Sequence, residues 1–196
     1  ASAPWSGANL PAGPRQLAGQ RVGERLAAAV PGIVTRTTDE WVEVDSERVA
    51  EALRWLHDSP EFDAAQLSNL TAVDRHTYFE VVYHLQSLDL NHQVLVKAIV
   101  SDHEAPSLPS AYPVYKGALL QEREVYDLYG IVFEGHADLR RILMWDGFKD
   151  FPMRKDYEEP DDYEWEPTPH DDVLAKAKVH YPATAPAAAP APEGKA

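Results

Sequence analysis

Gln121-Glu122-Arg123-Glu124-Val125-Tyr126-Asp127-Leu128-Tyr129-Gly130-Ile131-Val132-Phe133 is the densest stretch of this chain. Val114, Ala118, Gln121, Val125 and Leu128 fall on one stripe of a helix, and Tyr115, Leu119, Glu122, Tyr126 and Tyr129 lie beside it. Gly130 suits the left-handed position just past a helix end. Arg123 and Asp127 stand four residues apart and are expected to pair on the solvated side, a contact worth only about 0.2–0.5 kcal/mol. Glu122 is the anomaly, because it lines up with Tyr115 and Tyr126 rather than with the exposed charges. A carboxylate there needs an arginine or a backbone partner, within the chain or across an interface.

A second dense run starts a few residues on. His136, Leu139-Arg140-Arg141-Ile142-Leu143 and Arg154-Lys155-Asp156-Tyr157 read with the first run as one unit. Asp138 to Trp145 is expected to form a short helical turn, with Leu139, Ile142 and Leu143 inward and Arg140 and Arg141 free. Asp146-Gly147 signals a turn. Phe148, Phe151 and Met153 alternate with polar residues without making a convincing strand. Such a segment reads either as a surface arm with scattered charges or as a protein interface, where paired arginines and exposed aromatics are favoured anchors. Residues 134–172 therefore read as an extended docking arm, and 121–133 as the hinge that joins it to a folded domain.

That domain spans 15–133. Arg15 to Val30 has helical apolar spacing, weakened by Gly19 and Gly23 and stopped by Pro31-Gly32. Ile33–Arg36 and Trp41–Val44 read as two short strands. Ser46 is expected to cap a helix whose buried stripe is Val49, Ala52, Leu53 and Leu56. Leu67–Val73, Phe79–Leu88 and Gln93–Val100 read as strands, the last two as a hairpin with Val81, Tyr83, Leu85, Val94, Val96, Ala98 and Val100 inward. Ala105–Pro113 holds three prolines and reads as a loop. The expected class is α+β, a mostly antiparallel sheet with helices on one face and a long irregular C-terminal arm. Residues 1–14 read as a flexible lead-in, and the Pro/Ala-rich 173–196 as a disordered or extended tail.

Composition narrows the chemistry. The 196 residues include no cysteine, which removes disulfides, thiolate metal sites, cysteine-ligated clusters and thiol nucleophiles. The formal net charge is −14, so neither nucleic acid nor an anionic membrane surface is an expected partner. Residues 158–196 carry nine acidic against three basic residues, which deepens that imbalance. The eight histidines form no His-x-x-x-His signature, and no phosphate loop or nucleophile elbow is present. No apolar run is long enough to cross a bilayer, and no signal peptide is visible. The residues define no self-contained catalytic, cofactor or metal site.

The motif Glu122-Arg123-Glu124-Val125-Tyr126-Asp127-Leu128-Tyr129-Gly130 through His136, with Leu139-Arg140-Arg141-Ile142-Leu143 and Arg154-Lys155-Asp156-Tyr157, closely resembles one family. This is the family of the cofactor-free subunit in the hydrophilic arm of respiratory complex I, the NADH–quinone oxidoreductase. The resemblance covers roughly residues 65 to 157 well, including Leu70-Thr71-Ala72-Val73-Asp74 and Phe79-Glu80-Val81-Val82-Tyr83. Ala137 departs from a usual proline and Asp150 from a common glycine. Glu158-Glu159-Pro160 departs from a Pro-Leu continuation, and the usual tryptophan-containing segment before Glu122 is missing. The resemblance implies a cofactor-free structural and assembly subunit in the peripheral arm of a proton-translocating NADH–quinone oxidoreductase. Its partners would be the quinone-site subunit, which is the catalytic neighbour, and the iron–sulfur subunits, with FMN, clusters and quinone all held by other chains. It would sit peripherally on the cytoplasmic side of a bacterial membrane, or on the matrix side in a mitochondrion. Glu122, Arg123, Glu124, Tyr126, Asp127, Gly130, His136, Leu139, Arg140, Arg141, Arg154, Lys155 and Asp156 are the motif residues expected at the partner interface. The competing readings are the equivalent subunit of a membrane-bound hydrogenase, of an F420-linked or ferredoxin-driven complex, or, from another class, a free-standing metal-dependent hydrolase.

Overall fold

A computed structural model of the chain describes residues 13–145 and 147–158. The chain enters as a two-residue strand, β1 (Arg15–Gln16), and continues into helix α1 (Gly19–Ala29). Strands β2 (Val34–Thr37) and β3 (Val42–Val44) follow, then a single 3₁₀ turn at Ser46–Arg48 and helix α2 (Val49–Asp58). Three nine-residue strands come next: β4 (Gln66–Asp74), β5 (Phe79–Ser87) and β6 (His92–Val100). The short strand β7 (Ser107–Pro109), helix α3 (Ala118–Tyr129) and strand β8 (Val132–Glu134) complete the order.

β6 is the centre of the main sheet. It pairs antiparallel with β5 along its whole length, and β5 pairs antiparallel with β4. On its other edge β6 takes β1 beside His92 and β3 beside Val96–Ala98, both in parallel. The alternation of β6 explains this position. Val94, Val96, Ala98 and Val100 are buried, while Gln93, Leu95, Lys97 and Ile99 are half-buried on the opposite face. The inward set forms one core with Val22 and Leu26 of α1, Leu53 and Leu56 of α2, and Ala118 and Val125 of α3. The fold is α+β, with helices on one face of a sheet whose long pairings are antiparallel.

Several local expectations change. Arg15–Gln16 is strand rather than helix, because the N–H groups of Arg15 and Leu17 join the edge of β6 at Asn91 and Gln93. Asp45, not Ser46, caps the turn before α2, its side chain accepting the Glu47 N–H at 3.0 Å. The proline-rich loop contains β7, which pairs in parallel with β8. Pro106 precedes β7 and contributes its carbonyl, which accepts the Val132 N–H at 2.9 Å, and Pro109 is the last residue of the strand. The acidic segment beyond Glu158, the Pro/Ala tail and nearly all of the lead-in lie outside the described residues.

Gly19 weakens α1 by propensity, yet close packing requires it. A Cβ at that position would lie 2.1 Å from the Trp41 carbonyl oxygen. Gly117, by contrast, has nothing within 4 Å of such an atom. Gly19→Ala is expected to lower stability by about 1–3 kcal/mol. Gly117→Ala should stay within about 0.5 kcal/mol of the parent. Chemical denaturation of the two variants checks this.

Candidate partner interface

α3 carries its charges inward. Glu122, Arg123 and Asp127 are all buried, whereas Glu124 faces solvent. Arg123 and Asp127 do not pair with each other on the surface. They share one side of the helix and grip the same downstream segment by opposite ends of its peptide groups. Arg123 Nε donates to the Arg140 carbonyl at 3.0 Å, and its Nη2 to the Arg141 carbonyl at 2.8 Å. Asp127 Oδ2 accepts the N–H groups of Ile142, Leu143 and Met144 at 2.9, 2.7 and 2.8 Å. Arg141 Nη1 closes the cage on Asp127 Oδ1 at 2.8 Å.

This cage is why Asp138–Trp145 does not form a helix. Three successive N–H groups point at one carboxylate and are lost to any helical ladder. Ile142 and Leu143, expected inward, are turned out to 38% and 57% exposure, while Leu139 packs against the core. Arg141 is not free. It reaches Asp127 and the Asp150 carbonyl, and its guanidinium covers the rings of Phe148 and Phe151 at 5.5 and 5.2 Å. Arg140 remains largely exposed and pairs with Asp138 at 3.0 Å.

A second carboxylate fastens the far end. Asp74 Oδ2, at the end of β4, accepts the Lys155 N–H at 2.7 Å. Its Oδ1 accepts the His76 N–H and His103 Nε2 at 2.7 and 3.1 Å. Arg154 Nη2 donates to His103 Nδ1 at 2.9 Å, which leaves Nε2 as the donor to Asp74. His103 stacks on Phe79 with centroids 4.5 Å apart, and Arg154 lies over the same ring and pairs with the exposed Asp156. Gly130 takes φ +78°, and the Phe151 ring presses where a side chain would project, with Tyr126 at the ring's edge. His136 Nε2 donates to the Leu119 carbonyl at 2.9 Å.

The electrostatics agree with the geometry. Burial pushes the Asp127 carboxyl upward, but three N–H groups and Arg141 outweigh it and hold it below the usual carboxylate range. For Asp74 the same contest, burial against the N–H groups of Lys155 and His76 and the His103 ring, ends the same way. The result is a backbone held from both ends, with Ile142, Leu143, Trp145 and Met153 between 38% and 57% exposed. Four large apolar side chains on one short, fastened segment are unusual on a free surface and suit a partner. No described helix is long and apolar enough to cross a membrane. Among the described residues no group of three His, Asp or Glu side chains is arranged to hold a metal ion.

A domain of this kind, offering a fastened apolar edge, fits the class of subunits that assemble with other chains. The comparisons with known proteins define it further. The family described as "Respiratory-chain NADH dehydrogenase, 30 Kd subunit" matches residues 42–163, and the chain belongs to that family. It is 41% identical over 145 residues to an NADH-quinone oxidoreductase subunit of Maricaulis maris, with 72% of each chain covered. It is 43% identical over 143 residues to the subunit of the same name from Rhodopseudomonas palustris, covering 69% of each. Among solved structures, a chain from an archaeal membrane-bound sulfane sulfur reductase complex shares the fold. Its TM-score is 0.58 at 22% identity, over 90% of this chain and 99% of that one.

The burial of Arg123 and Asp127 was hidden because i, i+4 opposite charges usually mark a solvated face. The available signal was their company: a helix with Glu122, Arg123 and Asp127 followed closely by two arginines holds more charge than one face can use. Asp150 sits at φ +64°, where glycine is at ease and aspartate is tolerated. Asp150→Val is expected to destabilise by about 1–2 kcal/mol, while Asp150→Gly should be neutral or stabilising. Thermal unfolding of both variants checks it.

Asp127 and Asp74 also set the acid limit. A carboxylate whose folded pKa is depressed contributes stability that is whole above its unfolded value, near 3.8, and is lost as pH falls through the lower folded value. Asp127→Ala should cost about 3–5 kcal/mol at neutral pH. It should also flatten the fall in melting temperature below about pH 4, which thermal melts across that range would show.

Proposed function

We propose that this chain is a structural subunit of the peripheral arm of a proton-translocating NADH–quinone oxidoreductase. In this reading it docks on the quinone-site subunit, beside the iron–sulfur subunits. It holds them in register while electrons pass from NADH to quinone through groups carried by other chains. The complex is membrane-associated, and this subunit is peripheral to it. The observation that carries the docking role is the 140–144 turn: buried side chains of α3 hold its backbone, and its apolar side chains face outward. Such a turn presents anchors already ordered, which spares the association part of its entropic cost.

The donor assignment rests on the relatives. Those at 41–43% identity carry NADH and quinone in their names. The archaeal reductase chain, at 22% identity, supports the fold and carries no argument about the donor.

Leu143→Asp and Arg140→Glu change exposed side chains and leave the Asp127 cage intact. Each should leave the melting temperature of the isolated chain within about 2 °C of the parent. Each should lower the amount of assembled complex and quinone-dependent NADH oxidation in the same proportion. Membranes from strains carrying the variants, assayed for both quantities, provide the measurement. Full assembly with lost turnover would contradict a purely positioning role.

A further inference from the structure

Three buried carboxyl groups sit around the start and end of this segment, and one is solvated differently from the others. Asp127 and Asp74 are surrounded by N–H donors from the fastened segment. The Glu122 side chain is 0% exposed and has only two hydrogen-bond partners. Its Oε1 accepts the Ala111 N–H at 2.6 Å, and its Oε2 lies 2.6 Å from Ser110 Oγ. Both partners belong to the segment just after β7. The backbone therefore supplies a partner within the chain, but it supplies no compensating charge.

The groups facing Glu122 from the neighbouring elements are neutral. From β5 comes Tyr83, fully buried, with a hydroxyl that has no hydrogen-bond partner. Burial pushes that hydroxyl well above the usual phenol range, so it stays protonated. From the segment after β8 comes His136, with Nε2 3.9 Å from Glu122 Oε2. Both of its nitrogens are committed: Nε2 to the Leu119 carbonyl, and Nδ1 as acceptor of the Asp138 N–H at 3.0 Å. A ring that accepts at Nδ1 and donates at Nε2 is uncharged. On α3 itself, Arg123 is turned to the carbonyls of residues 140 and 141. An ionised carboxyl at this place would be buried without a counter-charge, which is costly.

We propose that Glu122 is a neutral acid in the folded chain, its proton shared with Ser110 Oγ, and that its ionisation is coupled through His136 to the first residues of the docking segment. In the neutral form Oε2–H donates to Ser110 Oγ, which also accepts the Tyr112 N–H at 3.1 Å. Loss of that proton to solvent leaves an anion 3.9 Å from the imidazole. The anion draws the His136 Nε2–H from the Leu119 carbonyl toward itself. That turn of the ring takes Nδ1 off the Asp138 N–H, which is released. Asp138 carries Arg140, so the loosening begins at the base of the exposed turn.

Burial, against the hydrogen bonds from Ser110 and Ala111, pushes the Glu122 carboxyl up to about 7, so this change falls near neutral pH. A carboxyl raised in this way contributes stability that is whole below its unfolded value, near 4.5, and is lost as pH rises to about 7. The direction is opposite to that of Asp127 and Asp74.

The test uses the full chain and its Glu122→Gln variant between about pH 5 and 8. Infrared difference spectroscopy should show the carbonyl band of a buried protonated carboxyl on the acid side of neutral, fading as pH rises and absent from the variant. Amide hydrogen exchange at Asp138 should accelerate over the same span by roughly tenfold more than in the variant, a factor equal to one pH unit of coupling. In the parent alone, the fading of the band and the fall in Asp138 protection, taken relative to the intrinsic rise of exchange with pH, must share one midpoint, so the test holds even if the variant folds poorly. Absence of the band at the acid end, or separate midpoints, would overturn the proposal.

Discussion

One carboxylate sets the shape of the surface this chain offers. Asp127 takes three consecutive backbone N–H groups and a guanidinium in a buried site. Hydrogen bonds to an ionised acceptor are about twice as strong as neutral ones, and here four converge. Arg123, one turn earlier, takes the two preceding carbonyls. Between them the residues from 140 to 144 have no helix or strand to join, yet polar groups of each are met by a buried side chain. That leaves their side chains to point where the backbone dictates.

The consequences run outward from this point. Because the α3 face is spent on the segment, Ile142 and Leu143 cannot be drawn into the core, and their exposure is structural. Asp74 repeats the arrangement near Lys155, and the intervening aromatics, Phe148 and Phe151, have the Arg141 guanidinium to cover them. Gly130 completes the corner, since its left-handed turn and lack of a side chain admit the Phe151 ring. What docks in the proposed complex is a loop with the order of an element. Recognition by other chains then needs little rearrangement.

Much of this was legible in the residues. The alternation of Phe79–Leu88 and Gln93–Val100 read directly as a hairpin with one buried face, and α2 and α3 followed from apolar spacing and a terminal glycine. The family was legible too, because its motif is long and dense. What could not be read was the destination of the charges. Periodicity says which residues share a helix face, and it is silent on whether a backbone segment 15 to 18 residues later comes to meet them. Arg123 and Asp127 therefore looked like a surface pair, and Ile142 and Leu143 like core. The short strand at Ser107–Pro109 was hidden for a related reason: its partner, β8, lies across α3 in sequence. Glu122 stood out by its place on the tyrosine side of the helix, and its partners are the hydroxyl of Ser110 and the backbone of Ala111.

Asp127 is expected to hold the 140–144 turn in place in the isolated chain, before any partner arrives. Native-state amide hydrogen exchange at Ile142, Leu143 and Met144 tests this most directly. These amides donate to Asp127 and take no part in a helix or strand ladder. The expected result is protection approaching that of the β5 and β6 core, with exchange only through global unfolding. Exchange at the rate of an open surface loop, while α3 itself stays protected, would contradict it.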